Sequence, residues 1–133
     1  GSSCGCGDSV LSGNSLFWMQ SKVIKNIAAE GDCILVGRCA DYILRDREDV
    51  ISIFITADFK DRVSRVAEYE GISEQQAKEV INKADKTRAA YYDFYTEKKW
   101  GVAGSYDICL NSSKIGLENC KQIVTQIIDN NIR

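Results

Sequence analysis

The sequence predicts an α/β fold built around a mostly parallel sheet. Three short apolar runs of the kind that forms buried strands alternate with longer segments of helical periodicity. In the last of these segments, apolar residues recur at helical spacing from Leu117 to Ile128, which indicates an amphipathic helix. At 133 residues, the chain has the size of one domain.

The N-terminal third of the chain is predicted to contain a helix, a strand and a short second helix. Residues 1–14 are rich in glycine, serine and cysteine, and we expect a flexible lead-in there. The spacing of apolar residues predicts a helix over residues 15–30 that ends at Gly31. The apolar run 33–36 lies between glycines and is predicted to be a buried parallel strand, with a short helix over 39–44 after it.

The remaining two thirds continue the alternation. Residues 50–55 form the second predicted strand, and Asp58 is a suitable N-cap for a helix over 58–70. A Ser-Glu-Gln-Gln capping box then predicts a long helix over 73–95. Residues 106–110 are the third predicted strand and precede the amphipathic helix described above.

The composition excludes several kinds of chemistry and partner. The sequence contains no histidine, which removes histidine nucleophile activation, histidine general bases and histidine-containing metal sites. Its net charge of -2 gives no general attraction to nucleic acid or to an anionic membrane. No apolar run is long enough to predict a membrane span.

The six cysteines include no CxxC pair, so neither a metal site nor a disulfide framework is the favoured interpretation. Cys33 and Cys109 fall in predicted strands, and Cys120 falls on the apolar face of the last helix. We therefore expect these thiols to be buried and reduced, as in a cytosolic protein.

Basic side chains follow the strands, where parallel sheets bind their ligands. Arg38 comes directly after the first predicted strand, and Arg62 and Arg65 lie one turn apart on the helix after the second. The planar fork of an arginine matches the oxygens of phosphate or carboxylate groups. Several arginines in one cleft suit phosphoryl transfer, which depends on positioning and charge neutralisation and needs no histidine.

Three sequence motifs resemble those of a known family. They are GRCADYIL over residues 37–44, DKTRAAYY over 85–92 and YDICLNSS over 106–113. In their order and spacing these motifs resemble the cytidylate kinase-like proteins, a bacterial branch of the P-loop nucleoside monophosphate kinases. The resemblance covers about residues 16–128.

This resemblance implies a P-loop kinase-like fold, a three-layer α/β/α domain over residues 15–133 with a helical lid at about 60–99. It also implies a cytoplasmic enzyme that transfers a phosphoryl group from ATP, with Mg²⁺, to a small nucleotide. The acceptor would be a nucleoside monophosphate such as CMP, or a similar small molecule. The alternative is a noncatalytic nucleotide-binding or regulatory module with the same fold.

The resemblance also implies roles for individual residues. Arg38 would bind the phosphate of the acceptor, with Asp41 nearby in the same pocket. Asp85 would contact the acceptor or orient Arg88, and Arg88 would close the lid over the transferring group. The lid would begin with two further catalytic arginines, Arg62 and Arg65. The base of ATP would lie near the last motif, at Asn111, Ser112 and Ser113.

Several of these residues also have a purely structural interpretation. Arg62 and Arg65 could form the solvated face of a helix. Asp85 and Arg88 are three residues apart, so they could form a local ion pair. Residues 111–113 could simply form the turn that follows a strand.

Two features depart from the family pattern. The sequence contains no G-x-x-x-x-G-K-[ST] phosphate loop, and the glycine-rich residues 1–9 include no lysine. We therefore expect a βα unit of at least about 30 residues, carrying that loop, upstream of this sequence. The family's Arg-Asp pair before the lid aspartate is replaced by residues 81–84, Ile-Asn-Lys-Ala, which leaves the acceptor open.

Overall fold

The computed structural model describes the backbone of residues 6–131 and the side chains of residues 13–131. It confirms a mixed α/β fold with a parallel sheet. The helices and strands, in chain order, are α1 (Cys6–Glu30), α2 (Ala40–Ile43), β1 (Ile53–Thr56), α3 (Phe59–Glu70), α4 (Glu74–Thr96), β2 (Ile108–Asn111), α5 (Ser112–Ile115) and α6 (Leu117–Asn131). The chain divides after Val50 into two compact units.

The first unit is built from α1 and α2. One face of α1 is buried through Ser21, Ile24 and Ala28, which recur at helical spacing, and α2 buries Ala40 and Ile43. The helix α1 begins at residue 6 rather than at the predicted residue 15, so the described part of the expected lead-in has a helical backbone. The remaining lead-in residues, 1–5, lie outside the described part of the chain.

The predicted strand over residues 33–36 is wrong. This segment is a loop between α1 and α2, and Ile34 and Val36 are 85% and 90% exposed. A strand is stable only when its backbone groups pair with a neighbouring strand. No described residue pairs with 33–36 in a ladder, so the apolar composition alone does not make it a strand.

The second unit contains the parallel pair β1 and β2, in which Ile53 is aligned with Ile108 and Thr56 with Asn111. Both strands are predicted to within a few residues. Hydrogen bonds between Asp107 and Ser52 join the two strands where they begin. The Asp107 carboxylate accepts from the Ser52 N–H at 2.8 Å and from the Ser52 hydroxyl at 3.1 Å.

The helices α3 and α4 form a hairpin whose apolar centre is Val63, Ala77 and Ile81. Gly71 ends α3 with a left-handed φ of 66°, which a glycine adopts without steric cost. The predicted capping box opens α4, since the Ser73 hydroxyl accepts from the Gln76 N–H at 3.1 Å. Both ends of the hairpin turn are therefore determined by local sequence.

The expected burial of the cysteines is only partly met. Cys39 and Cys120 are buried, whereas Cys33 and Cys109 are exposed; all four are free thiols. Cys33 is exposed because its segment is a loop, and Cys109 because the part of β2 that it occupies is not covered. Within residues 6–131, no helix combines the length and apolar character that crossing a membrane requires.

Candidate phosphate-binding site

The hairpin of α3 and α4 brings Arg62 and Asp85 together across 23 residues of sequence. The two terminal nitrogens of the Arg62 guanidinium donate to the two Asp85 carboxylate oxygens at 2.8 and 2.7 Å. Arg62 precedes the buried Val63, and Asp85 lies one turn beyond the buried Ile81, so packing of the hairpin core sets their approach. The bidentate hydrogen bond that Arg62 donates to the Asp85 carboxylate raises the pKa of the guanidinium, which therefore stays charged.

Arg88 contacts the same carboxylate more loosely. One of its terminal nitrogens lies 3.5 Å from an Asp85 oxygen, and its side chain is 60% exposed. The local ion pair considered from the sequence therefore exists, but it is the weaker of the two contacts that Asp85 makes. One carboxylate and two guanidinium groups leave one positive charge in excess.

Arg65 lies exposed on α3, about one turn beyond Arg62. Its predicted catalytic role remains a prediction.

Arg38 and Asp41 belong to the first unit, where Arg38 occupies an unusual backbone turn. Gly37, Arg38 and Cys39 have successive φ values of 70°, 57° and 57°. The left-handed region costs a non-glycine residue about 1–2 kcal/mol, so two such residues in sequence store strain. The turn is closed by the Ala40 N–H, which donates to the Gly37 carbonyl at 3.2 Å, and by burial of Cys39.

Asp41 lies in the first turn of α2 and affects this turn electrostatically. Burial, together with the nearby Asp41 carboxylate, raises the pKa of the Cys39 thiol to about 11. Cys39 therefore remains a protonated packing residue at neutral pH. The exposed Arg38 is the cation that the strained turn presents.

Residues Asn111, Ser112 and Ser113 fasten together the carboxyl ends of the two strands. The Ser112 hydroxyl donates to the Thr56 carbonyl at 3.0 Å, and the Ser113 hydroxyl accepts from the Asp58 N–H at 2.8 Å. The Asn111 amide donates to the Asp58 carboxylate at 3.2 Å, while its oxygen caps α5 by accepting from the Ser113 N–H at 3.0 Å. These contacts match the structural interpretation, and a position near a nucleotide base remains a prediction.

Sequence reasoning missed the pairing of Arg62 with Asp85, because the two lie on different helices. The signal for it was their position beside the apolar residues of the hairpin core at helical spacing. It also missed the aromatic group that joins β1 to the segment that follows α4. The Phe54 ring lies 5.4 Å from the ring of Trp100 and 4.8 Å from that of Tyr106. Among the described side chains no cluster of three potential metal ligands occurs.

Comparison with known proteins matches residues 2–114 to the cytidylate kinase-like family. The chain belongs to this family. A cytidylate kinase of Pyrococcus horikoshii is 29% identical over 107 residues, which cover 77% of this chain and 52% of that protein. A solved structure of an uncharacterized protein from Eubacterium ventriosum is similar with a TM-score of 0.82 and 35% identity, covering 86% of this chain and 65% of that one. The chain thus spans about half the length of its curated relative.

Proposed function

We propose that this family member is a nucleotide kinase that transfers a phosphoryl group from ATP, with Mg²⁺, to a nucleoside monophosphate. The observation that carries the proposal is the excess positive charge on the hairpin of α3 and α4, where Arg62 and Arg88 surround the single carboxylate of Asp85 and Arg88 stays largely exposed. Transfer of a phosphoryl group requires neutralisation of charge on its oxygens, and guanidinium forks provide it. The likeness to a curated cytidylate kinase supports a CMP-like acceptor.

In the proposed reaction, the chain's own residues bind, align and enclose the phosphates. Arg38 would bind the acceptor phosphate from its strained turn, with Asp41 beside it. Strain in a backbone of this kind is often retained at binding sites, which favours a role for Arg38 beyond surface charge. The hairpin would close over the transferring group and exclude water, with Arg88 nearest to the phosphate oxygens.

The residues present fit a phosphate ligand. Mg²⁺ in such sites is bound largely by phosphate oxygens of the nucleotide and supplies further charge neutralisation when bound. Arginines would then contact the phosphate oxygens that the ion leaves free. Residues 111–113 would contact the base of ATP. Their hydrogen bonds to Thr56 and Asp58 would hold them in position for that contact.

The phosphate loop is proposed to come from a segment outside this sequence. The curated relative is about twice as long as the matched region. The strand residue Ile55 is 52% exposed. Apolar residues of this kind are normally covered in parallel α/β folds, so a further strand would complete a three-layer arrangement.

The proposal is tested by ADP production from ATP with the full-length protein and a panel of nucleoside monophosphates. We expect turnover with one acceptor and a loss of at least about tenfold in Arg38→Ala, since a charged hydrogen bond is worth about 1.5–3 kcal/mol. Arg45→Ala is the matched control, because Arg45 is exposed in the same unit and its guanidinium contacts only local groups of Tyr42 in the described contacts. Nucleotide binding without turnover would instead support the regulatory module.

A further inference from the structure

Asp85 holds its two arginine partners unequally. It receives two hydrogen bonds, at 2.8 and 2.7 Å, from Arg62 on the other helix of the hairpin. It receives one contact of 3.5 Å from Arg88 on its own helix. The first pair is largely enclosed, with side chains 30% and 25% exposed, whereas Arg88 is 60% exposed.

These differences give the two arginines different freedom to move. Arg62 uses both terminal nitrogens on Asp85, so releasing it would leave a half-buried carboxylate and a half-buried guanidinium unpaired. Arg88 gives up only a long contact at the surface, where ion pairs contribute little to stability. A phosphate group would therefore draw Arg88 away from Asp85 more easily than it would draw Arg62 away.

We infer that Asp85 is a positioning residue. It holds Arg62 in an ion pair that links α3 to α4, which we call the brace. It leaves Arg88, which we call the arm, able to move from Asp85 to a phosphate ligand. This inference rests on the proposed function, since it names the residue of that site which reaches the phosphate. It also assigns Arg62 a role in linking α3 to α4, in place of the catalytic role that the family resemblance implies.

A competition between Asp85 and the ligand follows from this arrangement. The carboxylate and a phosphate group offer the same kind of anionic oxygen acceptor to Arg88. Removing the charge of Asp85 therefore frees Arg88 and increases the positive potential of the site. Binding of a phosphate ligand becomes tighter, even though the hairpin loses part of its brace and becomes less stable.

The test is titration of inorganic pyrophosphate into the full-length protein by calorimetry, together with urea unfolding of the same variants. Asp85→Asn is expected to bind pyrophosphate at least threefold more tightly and to unfold at lower urea. Glu79→Gln is the matched control, because Glu79 is exposed on α4 and loses the same unit of charge. Glu79→Gln is expected to change the pyrophosphate affinity and the urea midpoint by less than half as much as Asp85→Asn does.

Variants of the two arginines separate the brace from the arm. Arg88→Ala is expected to weaken pyrophosphate binding by at least tenfold with little change in the urea midpoint. Arg62→Lys, which keeps the charge and loses the fork, is expected to lower the midpoint and leave binding within threefold. Unchanged or weaker binding in Asp85→Asn, or a larger binding loss in Arg62→Lys than in Arg88→Ala, would overturn the inference, as would absence of pyrophosphate binding.

These measurements distinguish the inference from the proposed function. Pyrophosphate binding does not require phosphoryl transfer, so the pattern among the variants stands even in a protein without kinase activity. Conversely, turnover with a nucleotide acceptor together with weaker pyrophosphate binding by Asp85→Asn would retain the kinase and remove the positioning role of Asp85.

Discussion

Replacement of Arg38 by glycine is expected to stabilise the protein while weakening its function. Arg38 holds a φ of 57° between two other left-handed residues. Glycine adopts this conformation without the steric cost of about 1–2 kcal/mol that a Cβ brings. Part of this gain is offset by the greater chain entropy of glycine in the unfolded state, about 0.5–1 kcal/mol.

The net effect is obtained by comparison with Arg38→Ala, which removes the same charge and keeps the Cβ. We expect Arg38→Gly to be more stable than Arg38→Ala by about 0.5–1 kcal/mol in urea unfolding followed by circular dichroism. Both variants are expected to lose binding of the nucleotide acceptor to a similar extent. The combination would mean that the turn is strained in order to present the arginine.

The same pair of substitutions at Arg45 is the control. Arg45 is exposed near the end of the same short segment and does not have a positive φ. The Arg45→Gly variant is therefore expected to be less stable than the Arg45→Ala variant by about 0.5–1 kcal/mol. If Arg38→Gly were also less stable than Arg38→Ala, the strain assigned to the turn would be refuted.

Three further predictions concern stability. In the hairpin core, Ile81→Ala should lower the free energy of unfolding by about 2–5 kcal/mol, as measured by urea unfolding. Val80→Ala, at the exposed neighbouring position, should lower it by less than about 0.5 kcal/mol. Equal losses in the two variants would contradict the assignment of Ile81 to the core. Asp107→Ala should cost about 1–2 kcal/mol by removing the acceptor of two hydrogen bonds from Ser52, and a Ser52→Ala background should reduce that loss. Since the fold raises the pKa of Cys39 to about 11, the thiol stabilises the native state at neutral pH, and this contribution is lost as the pH rises towards that value. Stability of Cys39→Ala, measured over the same range, should fall less steeply than that of the parent.

Local signals in the sequence were sufficient for most helices. The capping box at Ser73 and the glycine at 71 determine the hairpin turn through contacts between near neighbours. The apolar periodicity likewise predicted α6, which runs from Leu117 to Asn131. Such features need no information from distant parts of the chain.

Strands and the site depend on distant partners and were harder to predict. The runs 33–36 and 50–55 have similar apolar composition, yet only the second contributes a strand, because β2 pairs with it. The bond from Arg62 to Asp85 likewise joins residues 23 positions apart, and its geometry depends on how α3 and α4 pack. The family resemblance predicts that both residues belong to a lid, but nothing in the sequence indicates that they bind each other.

The most direct test of the kinase assignment is formation of a nucleoside diphosphate from ATP by the full-length protein, measured for the parent and for Arg88→Ala. The proposed role of Arg88 predicts product with at least one nucleoside monophosphate and a fall in kcat of about 10²–10³, the effect of removing one donor that stabilises transition-state charge. Lys86→Ala, an exposed cation on the same helix, should retain most of the activity. Parent protein that binds nucleotides but forms no product with any acceptor, or an Arg88→Ala variant with unchanged kcat, would contradict the account.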